Sequence, residues 1–169
     1  MESKNKIKEN KNFSSGFYDW AIFLITFYQR INKKLGLDFE SFLILQVVVS
    51  YNVYFINKNK KLSLESLSFE FEKSSNAELL NNPKLTVTSI SSSLNMPRET
   101  VKRKVLLLQN KNFLTINSNK TIQLGKQYAE IFSEFASGTT HDLARLIPRW
   151  DKKDIVKQFL NLEIYCISI

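Results

Sequence analysis

Residues 90–105 read ISSSLNMPRETVKRKV, and this stretch decides the fold of the region around it. Ile90 and Leu94 have the spacing of a buried helix face. Asn95 follows them as a turn residue, and Pro97 suits the first turn of a second helix that is rich in lysine and arginine. The pattern predicts a helix, a tight turn and a second helix with a cationic face, which is the arrangement that places a helix in the DNA major groove.

A helical wheel at roughly 100° per residue divides the second helix into two faces. Its buried stripe consists of Val101, Val105 and Leu108. Its outward side near the N-terminus consists of Arg98, Glu99, Lys102 and Arg103. Arginine can donate two hydrogen bonds to guanine, and glutamate can accept one from cytosine, so this side offers candidate base contacts. Lys104 flanks the core and is expected to contact the DNA backbone or to be solvated.

The positive charge of the chain is concentrated in the same region. Residues 84–126 contain eight lysines or arginines and one acidic residue, a net charge of +7 in a chain whose total is +8. A general lysine bias would not place the charge in one quarter of the chain. The concentration therefore favours a surface for phosphate groups, with double-stranded DNA as the partner.

Residues on either side of the two helices complete the expected interface. Thr86 or Thr88 is predicted to cap the first helix, whose free amides suit a phosphate oxygen. Thr100 carries a hydroxyl group for a phosphate or a base edge. Two short alternating segments around residues 118–120 predict a β-hairpin, the wing, with Lys120 at its tip in reach of the flanking DNA.

The N-terminal part is predicted to form two helices. The first runs from about Ser15 to Leu35 and is apolar on most sides, which indicates burial against a partner subunit. Gly36 ends it, and Asp38 caps the second helix, which extends to about Ile56. Neither apolar run in these helices reaches the roughly 20 residues of a membrane span, so both are interpreted as core or dimer-interface helices.

Residues 57–83 are interpreted as a connecting insertion. Residues 67–72 read LSFEFE and alternate with period two, which predicts a strand. Residues 78–80 predict a short helical turn. The Asn-Asn-Pro sequence at 81–83 then separates the insertion from the basic region.

Residues 126–169 are predicted to form three helices. The first runs from Lys126 to about Ala136 and is broken by Ser137-Gly138. A short helix then ends before Pro148, and Asp151 caps a last amphipathic helix.

The predicted fold class is mainly α, a winged helix-turn-helix whose flanking N- and C-terminal helices form a dimer interface. The predicted parts are a disordered tail (1–12), an N-terminal helix pair (13–56), the insertion (57–83), the winged helix-turn-helix (84–125) and the C-terminal helices (126–169). The polar N-terminus and the single cysteine, Cys166, predict a cytoplasmic, nucleoid-associated protein in which this thiol is inert.

Residues 89–114 resemble the helix-turn-helix of Crp/Fnr-type regulators, most specifically at 98–103, which stand as that family's R-E-T-V-x-R. The resemblance implies base contacts by Arg98, Glu99 and Arg103. It also implies a phosphate contact by Thr100. Two positions depart from the family: residue 97 is proline where serine is usual, and residue 102 is lysine where a small residue is typical.

The layout of the whole chain resembles MarR-type regulators, in which a helix pair precedes a winged helix and the terminal helices form a dimer. Residues 31–45 are similar to the link between the first two helices of that family. The nucleotide-binding barrel of the Crp/Fnr type is not predicted, because the first 60 residues have a helical pattern and lack a glycine-rich phosphate loop.

Motifs for catalysis are missing from the sequence. It contains one histidine, His141, and neither a phosphate loop nor a G-x-S-x-G sequence, so no enzyme activity, cofactor or metal site is predicted. The predicted function is a sequence-specific, double-stranded-DNA-binding transcriptional regulator that acts as a homodimer. Two alternatives stay open: a winged-helix protein–protein interaction module, and a plasmid- or phage-type replication initiator.

Overall fold

The computed structural model describes residues 12–59, 62–74 and 85–157. In chain order, its elements are α1 (Phe13–Arg30), a π-helical turn (Ile31–Leu35), α2 (Phe39–Asn59), α3 (Leu64–Ser74), α4 (Val87–Leu94), α5 (Arg98–Asn110), β1 (Leu114–Ile116), β2 (Ile122–Leu124) and α6 (Lys126–Lys152). This part of the chain is mainly helical with a small two-stranded antiparallel sheet, as the sequence predicted for the fold class. The described residues divide into two compact units, 30–136 and 12–29 with 137–157.

The core of the 30–136 unit lies where α2, α4 and α5 pack on one another. Its members are apolar and almost fully buried: Ile44, Leu45 and Val48 of α2, Ile90 of α4, and Val101, Val105 and Leu108 of α5. The predicted buried stripe of the second helix is therefore confirmed. Burial of each such side chain stabilises the fold by about 1.5–3 kcal/mol.

The start of α2 follows the sequence prediction. Gly36 ends the preceding π-helical turn in the left-handed conformation, with φ of 58°. Asp38 caps α2, because its Oδ1 accepts a hydrogen bond from the Ser41 amide at 2.8 Å. The helix then extends to Asn59, a little beyond the predicted end.

Helix α2 is long and apolar enough to cross a membrane, with a mean hydropathy of 1.5 over Phe39–Lys58. The prediction from a shorter apolar run, that the segment is too short to span a bilayer, is therefore wrong on length and composition. A buried core helix can, however, have the same length and apolar composition. In this unit Phe42, Leu45 and Val48 of α2 are buried within the protein.

The predicted strand at residues 67–72 is wrong, because these residues belong to helix α3. Period-two alternation over six residues also places Leu67 and Phe71 four apart, on one side of a helix. Phe71 is 1% exposed and meets the ring of Phe132 edge-on, with centroids 4.7 Å apart. Burial of this ring in the tertiary structure therefore favours helix over strand for these residues. The helical turn predicted at 78–80 lies outside the described residues.

The predicted breaks after Ala136 and before Pro148 are also wrong, because α6 is one continuous helix that contains both sites. A glycine inside a helix costs only about 1 kcal/mol relative to alanine. Leu146, which lies beyond the glycine, is buried, and its burial outweighs that cost. Asp151, predicted to cap a further helix, lies in the last turn of α6. Cys166 lies outside the described residues.

The second unit is held together by a close contact between α1 and the C-terminal end of α6. Trp150 Nε1 donates a hydrogen bond to the Gly16 carbonyl at 3.1 Å. Lys153 Nζ forms an ion pair with Asp19 and donates to Ser15 Oγ. A Cβ atom on Gly16 would lie 2.1 Å from Ile155 Cδ1, so the Ile155 side chain would have to turn away if this glycine were replaced.

Candidate nucleic-acid interface

Helix α4 begins with a reciprocal pair of hydrogen bonds between residues three apart. Thr86 Oγ1 accepts from the Ser89 amide at 3.3 Å, and Ser89 Oγ accepts from the Thr86 amide at 2.8 Å. Of the two predicted caps, Thr86 is therefore the one that the structure uses. Thr88 lies in the first turn of the helix with its side chain exposed.

The turn between α4 and α5 is three residues long. Asn95 adopts the left-handed conformation, with φ of 49°, that ends α4. Ser91 Oγ donates to the Met96 carbonyl at 2.7 Å and fastens the turn to α4. Pro97 precedes α5 as its N-cap residue. The predicted helix, turn and second helix are confirmed as structural elements.

The outward side of α5 carries charge at its N-terminal end. Arg98, Glu99, Lys102 and Arg103 are all exposed, and Thr100 is half-buried. None of the ion pairs found among the described residues involves these four charged side chains. Three cations and one carboxylate are therefore available to a ligand in solution, over less than two turns of helix.

Lys104 was predicted to contact the DNA backbone or to be solvated, and the structure shows that it is not solvated. Its side chain is 12% exposed, and its Nζ forms ion pairs with Asp38 and, at 3.3 Å, with Glu40. The hydrogen bond to Asp38 raises the pKa of Lys104. Just past the end of α5, the exposed Lys111 donates from Nζ to the Gly36 carbonyl at 3.2 Å. Both lysines therefore hold α5 to the segment that leads into α2.

The pKa of Asp38 is lowered to about 2 by this contact. Burial alone would raise the pKa, but the hydrogen bonds from Lys104 and from the Ser41 amide outweigh burial. The folded protein therefore binds fewer protons at Asp38 than the unfolded chain does between about pH 4 and pH 2. Its contribution to stability is present above pH 4 and is lost as the pH falls through this range.

The variant Asp38→Asn is expected to show this pH dependence. Asparagine still caps α2 but loses the charge that faces Lys104. Because the Asp38 side chain is 51% exposed, we expect the loss near pH 6 to be no more than about 1 kcal/mol. Urea unfolding at several pH values measures it, and the difference from the parent protein should shrink as the pH falls from 4 to 2. A constant difference would contradict the assignment.

The predicted β-hairpin is confirmed by an antiparallel pairing of β1 with β2, in which Thr115 lies opposite Gln123. Lys120 lies at its tip, exposed, with φ of 64°. The Ile122 amide donates to the Leu85 carbonyl at 2.9 Å, so the segment before α4 pairs with the other edge of β2. This third segment could not be predicted from the sequence, because a single hydrogen bond leaves no periodic pattern in the residues.

Leu106 and Leu107 of α5 were also missed. They are 45% and 38% exposed, although they adjoin the buried Leu108. The helical wheel that gives the buried stripe through Leu108 sets both leucines outside that stripe, so their exposure could have been predicted from the sequence. Among the residues that the structure describes, no group of three histidine, cysteine or acidic side chains is placed to hold a metal ion.

The arrangement as a whole offers an exposed cationic helix face beside a lysine-tipped hairpin. Both are carried by the rigid packing of α2, α4 and α5. Comparison of the chain with protein-family models, with curated proteins and with solved structures found no match.

Proposed function

We propose that the protein is a sequence-specific, double-stranded-DNA-binding transcriptional regulator of the winged-helix type. In this proposal α4 and α5 act as a helix-turn-helix, α5 enters the major groove, and the β-hairpin is the wing. Such a protein would act in the cytoplasm, associated with the nucleoid.

The observation that carries the proposal is the division of charge on α5. Lys104, on the inner side, is neutralised by Asp38 and Glu40. Arg98 and Arg103, on the outer side, are exposed and take part in none of the ion pairs found among the described residues. Exposed cations are common on any solvated helix, but a helix that meets a polyanion requires them on its outward side, and the concentration of positive charge in residues 84–126 favours the second interpretation.

The residues then have distinct roles in the proposed complex. Arg98 and Arg103 donate to guanine, and Glu99 accepts from cytosine. Lys102 and Thr100 lie beside them and contact phosphates.

The start of α4 and the tip of the hairpin supply the flanking contacts. The Thr86 side chain is occupied by the capping box and accepts from the Ser89 amide, so the exposed Thr88 side chain and the amides of Val87 and Thr88 are the groups that face a phosphate. Lys120 contacts the flanking backbone. Lys104 is not assigned a DNA contact in this proposal, because its ammonium group is already paired.

We further propose that the protein binds as a homodimer through α1. This helix exposes a broad apolar surface, formed by Phe17, Tyr18, Leu24, Ile25 and Tyr28. An exposed apolar surface of this kind is typical of an interface between protein chains. A two-fold dimer would read two half-sites about one helical turn of DNA apart.

In vitro selection from a random duplex library tests the proposed function. We expect enrichment of a partly palindromic sequence that the protein binds at least about 1000-fold more tightly than random DNA at physiological salt. Binding should weaken steeply as salt is raised, because phosphate contacts release counterions. If no sequence is enriched and the affinity for random DNA is negligible, the protein-interaction module becomes the better interpretation.

Replacement of Lys120 by asparagine is expected to lower affinity for all duplexes alike. Asparagine accepts the left-handed backbone that Lys120 adopts, so the change removes the charge without straining the turn. The slope of log affinity against log salt should fall by about 0.9. Lys152→Asn, at an exposed lysine that ends α6, is the matched control and should leave the slope unchanged. An unchanged slope in Lys120→Asn would show that Lys120 at the hairpin tip does not contact DNA phosphates.

A further inference from the structure

Leu106 is an apolar residue on the side of α5 that otherwise carries charge. With Arg98 placed at 0°, Leu106 lies at about 80°, between Lys102 at about 40° and Arg103 at about 140°. Its side chain is 45% exposed. Packing among the described residues of the 30–136 unit therefore leaves nearly half of this leucine exposed, in the middle of a charged surface.

We propose that Leu106 contacts the C5 methyl group of a thymine and so determines specificity at one base pair. This inference rests on the proposed function, since it requires α5 to lie in the major groove. The thymine methyl is the one apolar group that the major-groove edges of the four base pairs present. An exposed leucine on a groove-facing surface therefore has a single kind of base partner, and the cations around it would keep the backbone of the same duplex close.

The position of the thymine follows from helix geometry. Leu106 lies three residues beyond Arg103, which is about 4.5 Å along the helix axis. One base-pair step is about 3.4 Å. A helix that lies along the groove therefore sets Leu106 over a base one or two steps beyond the base that Arg103 contacts.

The neighbouring Leu107 provides a matched control. It is of the same residue type, on the same helix, and 38% exposed. On the wheel it lies at about 180°, roughly 100° away from Leu106. It should therefore not reach the bases that Leu106 reaches. Truncation of either leucine to alanine keeps a good helix former and removes no buried side chain.

The test uses the full chain and the duplex that in vitro selection yields. Each thymine of that duplex is replaced in turn by uracil, a change that removes only the C5 methyl group. The affinities of the parent protein, Leu106→Ala and Leu107→Ala are then measured for every duplex. We expect one thymine in each half-site at which uracil weakens binding of the parent about fourfold, the effect of burying one methyl group.

The inference is tested by whether the effect of replacing thymine by uracil disappears in the Leu106→Ala variant. Leu106→Ala should bind the thymine and uracil duplexes equally at that position, and Leu107→Ala should behave as the parent does. If Leu106→Ala stays as sensitive to uracil as the parent at every thymine, or if no thymine is sensitive, the role of Leu106 is overturned while selective binding stands. If selection enriches no sequence at all, the proposed function fails, and this inference fails with it.

Discussion

If the protein binds DNA as proposed, replacing Arg98 and Arg103 together by alanine is expected to reduce its selectivity strongly while the fold stays intact. Each bidentate arginine–guanine contact contributes about 1–3 kcal/mol of discrimination, and contacts at separate positions add roughly. The double variant should therefore lose about 2–6 kcal/mol on the selected duplex, at least about 30-fold in affinity. Affinity for random DNA should fall much less, because only the charge contribution is lost there.

The matched control removes two arginines from another exposed helix surface. Arg145 and Arg149 lie four residues apart on α6, and both are exposed. Arg145→Ala/Arg149→Ala changes the net charge equally and should retain selective binding. Fluorescence anisotropy on selected and random duplexes measures both pairs, and circular dichroism checks that each variant is folded. Equal losses of the Arg98/Arg103 variant on both duplexes would exclude base contacts by these residues.

Replacing Gly125 by alanine is expected to destabilise the 30–136 unit by about 3 kcal/mol, at the upper end of the usual cost of overpacking. A Cβ atom there would lie 2.2 Å from the Asn112 carbonyl oxygen and 3.0 Å from the Leu114 nitrogen. These are backbone atoms, so the clash cannot be relieved by turning a side chain. The Gly125 amide also donates to the Phe113 carbonyl at 2.8 Å, a bond that a backbone shift would break.

Gly36→Ala separates this clash from the general effect of losing a glycine. Gly36 has φ of 58°, but a Cβ atom added to it would have the flexible end of Lys111 as its nearest neighbour, at 3.2 Å. The cost of this substitution should be limited to about 1–2 kcal/mol of backbone strain. Urea unfolding followed by circular dichroism measures both variants. A Gly125→Ala protein as stable as Gly36→Ala would show that the hairpin base can move freely.

The sequence predicted best those parts of the fold that local chemistry determines. The cap at Thr86, the left-handed turn at Asn95 and the hairpin around Lys120 each depend on residues close together in the chain. The buried stripe of α5 follows from helical periodicity alone. These features made the 85–125 region predictable from its own residues.

The errors arose where distant contacts override local preference. Phe71 is in a helix because its ring packs on Phe132, about sixty residues away. Gly138 and Pro148 did not end α6, because Leu146 is buried beyond the glycine and Trp150 bonds to the Gly16 carbonyl beyond the proline. Lys104 was misplaced for the same reason, since its partners Asp38 and Glu40 lie far from it in the sequence. The charged residues of α5 could be identified from the sequence, but which of them form ion pairs could not be predicted.

The anchoring of α5 through Lys104 and Lys111 has a consequence for how the surface of this helix can change. Lys104 binds Asp38 and Glu40 from the inner side of α5, and Lys111, just past the end of the helix, binds the Gly36 carbonyl, so neither contact involves the outward residues. Substitutions on the outward side should therefore be close to additive with substitutions in the core. In the proposed complex, such a scaffold would tolerate exchange of the residues that contact DNA without loss of the fold.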